Sequence, residues 1–501
     1  MGNGDKVDIK AILRNIKNKG LIETLKLAQN GVRYDREYFA WKKRGNACRA
    51  EADRLVAEGD EEAFEEYAFR EFSDMMHQGI ELLEAAVSRQ EKKDISEILK
   101  KQEDFMKAKH KQAFMKYKSQ LKIDCVKRDL PAIYAAESVN PVEDKVIFME
   151  NGDSPSPTGY QLSKVIQEQG KYQVVYRGMH VRKVADIEYY HNARKFVKDL
   201  ATAKAVFLST ANDLLSQFDV RPETKVIQLW HGVGMFKKVG FSTVDNKNFG
   251  KGAKERAEYD QYRNYTYVTV AGEEQIWTFE DAFRIPRETG IYRPIGIART
   301  DVFFSEDYYN EQMELLYEAY PQIKGKKLIL YAPTFRGAVA KAKAPDALDI
   351  RAMAEALSDE YVLLIKHHGL CKERPPIPED LQNVFAFDMN TVKVLTIEGL
   401  LAVADVLITD YSSVGFEFAI REKPIVFFAY DIEDYIDKRG MYYDYEDITP
   451  GPVCKTTEEI NDFILNIDER FDIEEVKAFR EKYVDACDGH AIERTIALLE
   501  E

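Results

Sequence analysis

The chain has 501 residues, 45% hydrophobic and 31% charged, a composition that excludes a disordered protein and a length that calls for two or three domains rather than one core. Its formal net charge of −15 argues against nucleic acid as the main partner. The five cysteines (Cys48, Cys125, Cys371, Cys454, Cys487) are scattered without a C-x-x-C pair, so neither a zinc site nor a disulfide framework is expected and a reducing cytoplasm fits. The start, Met1-Gly2-Asn3-Gly4-Asp5-Lys6, leads into no apolar stretch of signal-peptide type, and no apolar run approaches the roughly 18 residues of a membrane span. Attachment to a membrane surface stays open.

Residues 1–130 read as helical. Val7, Ile9, Ile12, Leu13, Ile16, Leu21, Ile22 and Leu25 form one amphipathic stripe, with a break at Gly20. From Glu61 to Lys122 there is no proline, and apolar residues recur at three and four, through Phe72, Met75, Met76, Ile95, Leu99 and Met106. A long helical hairpin or small bundle is predicted, serving oligomerisation, a partner or an anionic membrane surface; Lys/Arg excess in 1–54 and 89–128 speaks for the last, and the interleaved glutamates for the first.

The pattern changes at Pro131. Short β-branched runs then alternate with helical spacing: Val146–Met149, Gln173–Tyr176, Ala205–Leu208, Val226–Leu229 and Tyr267–Val270, then Lys327–Tyr331, Tyr361–Ile365, Val403–Ile408 and Pro424–Phe428. Most are apolar on both faces, as strands buried in a parallel sheet are. The predicted fold is α/β, with two doubly wound, Rossmann-like domains (131–312 and 313–501) behind the helical region 1–130. Ligands of such sheets bind beyond the carboxyl ends of the strands.

Chemistry-bearing residues fall at those strand ends. Val403–Ile408 runs into Thr409-Asp410-Tyr411-Ser412-Ser413-Val414-Gly415, after which the spacing turns helical. Ser412, Ser413 and the free N–H groups of a first helical turn suit a phosphate, with ordinary N-capping as the plainer alternative. Asp410 would orient the turn or a sugar hydroxyl, and Glu417, one turn on, could accept from ribose hydroxyls. In Trp230-His231-Gly232-Val233-Gly234 a strand ends in a histidine, and glycines either side of Val233 permit a sharp turn. His231 could face the cleft as a general base or cap the turn; Trp230 reads as packing. Arg299, in Gly296-Ile297-Ala298-Arg299-Thr300-Asp301, could reach the cleft or pair with Asp301. In Tyr331-Ala332-Pro333-Thr334-Phe335-Arg336, Thr334 presents a hydroxyl and Arg336 a planar fork fit for phosphate oxygens or a carboxylate. Lys366-His367-His368-Gly369 adds basic groups after another strand, with His368 the candidate phosphate donor and His367 solvated. No helical i, i+4 histidine pair, Walker or G-x-G-x-x-G sequence accompanies them, so no metal, kinase or dinucleotide site is expected.

Taken in order, these segments, with Pro424-Ile425-Val426-Phe427-Phe428-Ala429-Tyr430-Asp431, Gly451-Pro452-Val453 and Asp488-Gly489-His490-Ala491, resemble the CDP-glycerol glycerophosphotransferase family, the teichoic-acid primases and polymerases of bacterial cell envelopes. The likeness covers about residues 140–498. It implies a GT-B-like pair of Rossmann-like domains facing a cleft: an acceptor domain, then a CDP-donor domain. The implied reaction moves a polyol phosphate, glycerol phosphate foremost, from a CDP-polyol (CDP-glycerol or CDP-ribitol) to a hydroxyl of a teichoic-acid or capsule polymer, releasing CMP without cofactor or divalent metal. By matching position, His231 would be the base, His368, Ser412 and Ser413 would bind the pyrophosphate with Arg336 close by, and Glu417 would bind the ribose. Thr334 and Asp410 would join the donor site, and Gly232, Arg299 and Lys366 would lie in the cleft. A lipid-linked acceptor implies a peripheral place on the inner face of the cell membrane. Gly369, Ala298 and Thr300 depart from the family's usual proline, proline and asparagine, which bears on the polyol more than on the reaction. Two other readings remain: a GT-B glycosyltransferase with a nucleotide-sugar donor, and a non-catalytic nucleotide-binding scaffold.

Overall fold

Valine, isoleucine, leucine and phenylalanine dominate runs of four to eight residues that are buried on both faces, and such runs can satisfy their backbone only inside a parallel sheet covered by helices. A computed structural model describes residues 21–58, 61–150, 156–179, 184–244, 252–337, 342–433, 435 and 440–501. Packing divides the chain into two units, one of residues 1–136 with 179–199 and one of 137–178 with 200–501.

The first unit is helical. The expected hairpin is three successive helices, Glu61–Ala85, Arg89–Lys109 and Lys111–Lys122, preceded by Leu21–Glu58. Ser88 explains the first break: its hydroxyl accepts the Glu91 N–H while Glu91 accepts the Ser88 N–H, a reciprocal cap that restarts the helix. Phe72, Met75, Met76, Ile95, Leu99 and Met106 are buried as their spacing predicts, and the Trp41 indole donates to the Met75 carbonyl at 2.8 Å. Pro131 does not end the helical region. A π-helical stretch, Ile123–Asp129, leads into the helix Leu130–Glu137 that contains it. The stripe from Val7 to Ile16 and the break at Gly20 lie outside the described residues. Among the described residues no helix is long and apolar enough to cross a membrane.

The second unit carries two six-stranded sheets, parallel throughout. In the first the order is β2-β1-β3-β4-β5-β6, built from β1 (Glu143–Glu150), β2 (Gln173–Gly178), β3 (Ala203–Leu208), β4 (Lys225–Gln228), β5 (Tyr267–Thr269) and β6 (Tyr292–Arg293). In the second it is β12-β11-β10-β7-β8-β9, built from β7 (Lys327–Tyr331), β8 (Tyr361–Ile365), β9 (Ala386–Asp388), β10 (Val406–Thr409), β11 (Ile425–Phe428) and β12 (Val453–Cys454). Chain order reverses between β1 and β3 in one sheet and between β7 and β10 in the other, leaving a crevice beyond the strand ends at each. Two expectations shift. The run from Val403 is split, since Ile397–Val403 is a helix and the strand starts at Val406; and β6, β9 and β12, each of two or three residues, were not among the expected strands.

The loop after β4 meets the second sheet directly. The glycines flanking Val233 are needed for this approach rather than for a left-handed turn: a Cβ at Gly232 would lie 3.2 Å from the Ser413 hydroxyl, and one at Gly234 2.3 Å from the Phe416 ring. The left-handed residue is Trp230, with φ of 59°. Gly234→Ala should therefore destabilise the fold by about 1–3 kcal/mol through overpacking, read from the midpoint of urea unfolding; an unchanged midpoint would show that Phe416 can move aside.

Candidate active site

His231 is placed by its left-handed neighbour. The Trp230 N–H donates to the Gln228 side-chain oxygen at 2.8 Å, and the Trp230 ring packs edge-on against Phe279 and Phe283. A non-glycine residue in this conformation costs about 1–3 kcal/mol and persists only where its surroundings hold it. The turn leaves the imidazole with one face open to the cleft, although protein surrounds the rest of the ring. Its Nδ1 lies 3.2 Å from the Ser209 carbonyl. A carbonyl can only accept, so Nδ1 carries the proton and Nε2 keeps its lone pair. Dehydration by its surroundings, and then the charge of Arg299, hold this histidine below its ordinary pKa and therefore neutral.

The cleft has a volume of about 540 Å³. His231, Gly232 and Lys237 line it from the loop after β4, and Arg299 from the 3₁₀ turn Ala298–Phe304. The second sheet contributes Thr334 after β7, Lys366, His367 and His368 after β8, and Ser412 and Ser413 after β10. Among the described residues the lining holds three cations and three histidines but no carboxylate. In a chain of net charge −15 this is a local inversion of sign, the electrostatics of a site for a polyanion.

Within it the donors are oriented. The Leu370 N–H donates to Nδ1 of His368 at 3.2 Å, so the neutral ring carries its proton on Nε2. Partial dehydration by the surrounding protein, then the charge of Lys237, lowers the pKa of His368, although the residue itself is exposed to the cleft. Lys366 donates to the Met389 and Leu395 carbonyls at 2.9 and 3.0 Å, which leaves one ammonium hydrogen, and burial lowers its pKa. The amides of Ser412 and Ser413 donate to no protein acceptor among the described residues. The Thr334 hydroxyl is buried without a partner. His367 is buried rather than solvated, with its pKa pushed down to about 4 by burial.

Three expected ligand groups are turned away from the cleft. Arg336 gives its fork to Asp431 (Nε to Oδ2 2.6 Å, Nη2 to Oδ1 2.9 Å) and its remaining nitrogen to Asp410 (2.8 Å) and the Thr334 carbonyl (2.6 Å). The guanidinium lies over Tyr411, Tyr430 and Tyr435, 5.1–5.4 Å from their ring centres. Its charge is spent on carboxylates, and it ties the loop after β7 to the loops after β10 and β11. Asp410 is buried, and its second oxygen accepts the Thr334 and Tyr411 N–H groups at 2.8 and 2.7 Å. It shapes the turn that carries Ser412 and Ser413. Glu417 is wholly buried, and one oxygen pairs with Arg299 rather than facing a ribose.

Arg299 is the residue whose importance its local sequence hides. It does not pair with Asp301, whose carboxylate accepts the Ala491 and Ile492 N–H groups at 3.1 and 2.8 Å and caps the last helix. Instead its guanidinium joins Glu417 and stands 3.6 Å from Glu398, both on helices of the second sheet and both buried. Burial raises the pKa of Glu417 and Arg299 opposes it. Glu398 and Asp431 were not among the expected site residues, although Asp431 ends one of the segments that carry the family resemblance; their partners lie roughly a hundred residues away in sequence.

Removing Arg299 would strand two buried carboxylates. Arg299→Met should cost about 3–5 kcal/mol near pH 7, measured by urea unfolding. A carboxyl whose folded pKa is raised favours the fold below its unfolded pKa and loses that contribution as pH rises through the folded value. The penalty should accordingly shrink from about pH 8 to about pH 5; the same loss at both would show that the Glu417 carboxyl does not set it.

Known proteins agree with this architecture. The wall teichoic acid polymerase TagF superposes with a TM-score of 0.60 over 74% of this chain and 92% of that one, at 22% identity, which speaks to the fold. The teichoic acid poly(ribitol-phosphate) polymerase of Bacillus spizizenii is 38% identical over 59% of this chain and 46% of its own length, so the chain spans about half of that relative. The teichoic acid ribitol-phosphate primase of the same organism is 34% identical over 59% of this chain and 74% of its own length. The teichoic acid glycerol-phosphate primase of Bacillus subtilis is 33% identical over 57% and 71%. The fold is thus GT-B-like α/β, with a helical N-terminal region. With residues 133–501 matching CDP-Glycerol:Poly(glycerophosphate) glycerophosphotransferase as a family, the chain belongs to that family.

Proposed function

We propose that the chain transfers a polyol phosphate from a CDP-polyol to a hydroxyl of a teichoic-acid-like polymer and releases CMP. The observation that carries this reading is the carboxylate-free cleft in which a neutral imidazole with a free Nε2 faces fixed cations and unpaired amides. The acceptor oxygen attacks the phosphorus that bears the polyol, and the bond from that phosphorus to the oxygen bridging the two phosphates breaks. His231 Nε2 takes the acceptor's proton, and CMP leaves with the bridging oxygen. Residues 131–312 present the acceptor and 313–501 hold the donor. The amides and hydroxyls of Ser412 and Ser413, the Nε2–H of His368 and the free ammonium hydrogen of Lys366 stabilise charge on the two phosphates, in positions set before the donor arrives. Glycerol is the first donor to test and ribitol the second, as the relatives' names include both. A lipid-linked acceptor would bring the chain to the inner face of the membrane.

Release of CMP rather than CDP, followed by chromatography with CDP-glycerol and CDP-ribitol, separates phosphotransfer from sugar transfer; CDP as the product would overturn the reading. His231→Ala should lower kcat by about 10²–10⁴, the usual range for a general base, with the donor Kd retained. Equal turnover would remove His231 from the mechanism. Ser412→Ala with Ser413→Ala should weaken donor binding in a calorimetric titration, and an unchanged Kd would count against the phosphate site placed there.

A further inference from the structure

We propose that Glu150, acting through Ser209, is a positioning residue for the His231 base, and that the three form a relay at the switch point of the first sheet. This rests on the reading of His231 as the base. Glu150 is the last residue of β1 and Ser209 follows β3, so both stand at the carboxyl ends of the adjacent strands between which chain order reverses. Each is about 5% exposed. A buried carboxylate requires partners, and Glu150 has them on both oxygens: Oε2 accepts the Ser209 hydroxyl at 2.9 Å and Oε1 the Ser156 hydroxyl at 3.0 Å. Ser156 in turn caps the helix Pro157–Gln169, whose first turn runs against the carboxylate; a Cβ at Gly159 would lie 2.7 Å from Oε1. Burial raises the pKa of Glu150, and the hydrogen bonds from Ser156 and Ser209, with the helix N-terminus, oppose that rise.

Ser209 is therefore held by its side chain, and its carbonyl is the group that accepts Nδ1–H of His231. That bond decides which nitrogen keeps the lone pair. Removing the grip on Ser209 lets the carbonyl drift and the imidazole sample the other tautomer, in which Nε2 carries a proton and cannot accept one. Glu150 touches neither substrate nor imidazole in this arrangement, and its effect should fall on turnover and not on donor binding.

Glu150→Gln tests this, because the amide keeps the shape but can accept from only one of the two serine hydroxyls. CMP release should show kcat reduced about 10- to 100-fold, the usual cost of losing a group that orients another, with the KM for the CDP-polyol within twofold. Nitrogen-15 spectra of the histidine-labelled protein should show His231 moving from the Nδ1–H tautomer to a mixture. Ser209→Ala should reproduce both effects, and the double variant should add little to either. Wild-type kcat with an unmoved tautomer in Glu150→Gln would overturn the relay, as would kcat and KM worsening together with a lowered Tm. His231→Ala is assayed alongside. If it stays active the base reading itself falls, whereas a silent His231→Ala beside a full-rate Glu150→Gln sinks only the relay.

Discussion

The cleft depends on a single buried cation that crosses from one sheet to the other. Arg299 leaves the first sheet after β6 and ends between Glu417 and Glu398, which stand on two different helices of the second. Burying three charges is costly, and apolar residues of the same volume could hold two layers together at least as well. An ion pair adds direction. Its strength falls away once the guanidinium is displaced from both carboxylates, so it fixes how far the loop carrying His231 stands from the turn carrying Ser412 and Ser413. The close passage of Gly232 and Gly234 against Ser413 and Phe416 is the steric half of the same constraint.

The same interaction helps to give the cleft its sign. Acidic residues outnumber basic ones, 86 to 71, yet none lines the cleft among the described residues. The carboxylates nearest to it are turned inward and used up: Glu417 and Glu398 by Arg299, Asp410 and Asp431 by Arg336. Arg336 serves the site indirectly, holding the turn whose amides stay open. Lys237 and Lys366 line the cleft where an anion would enter, and Arg299 reaches it while paired with the two glutamates.

How much of this could be read from residues alone follows from the range of the interactions. The longer strands, and the three-residue β5 inside Tyr267–Val270, were legible because burial on both faces writes an unbroken apolar run; β6, β9 and β12, each of two or three residues, were not read as strands. Val403 was misassigned because an apolar helix end abutting an apolar strand looks like one strand. In the site, positions were legible and directions were not. Strand-end placement put His231, His368 and Ser412 in loops that line the cleft, since the loop after a parallel strand must emerge at the ligand edge, whereas the sequence around Arg299 reads only as following a turn and leaves it between the cleft and Asp301. Whether Glu417 or Arg336 faces that edge depends on partners such as Arg299 and Asp431, 118 and 95 residues away. Local sequence holds no trace of such pairings. Glu150 and Ser209 escaped for the same reason.

Two of the three cleft histidines show what those unseen partners accomplish. His231 and His368 share a side chain and a lowered pKa, and nothing in their composition separates a proton acceptor from a proton donor. The difference is made by one backbone group beside each ring. A carbonyl at Nδ1 of His231 leaves Nε2 able to take a proton; an N–H at Nδ1 of His368 leaves Nε2 able to donate one. Neutral imidazoles can play these opposite parts at the same pH only if their tautomers are fixed separately. Depressed pKa values are the condition for this, since a protonated ring donates from both nitrogens and the distinction is lost. The protein surroundings that lower both pKa values and the backbone groups that set each tautomer act together, so that the two sheets each hold one histidine in a different state.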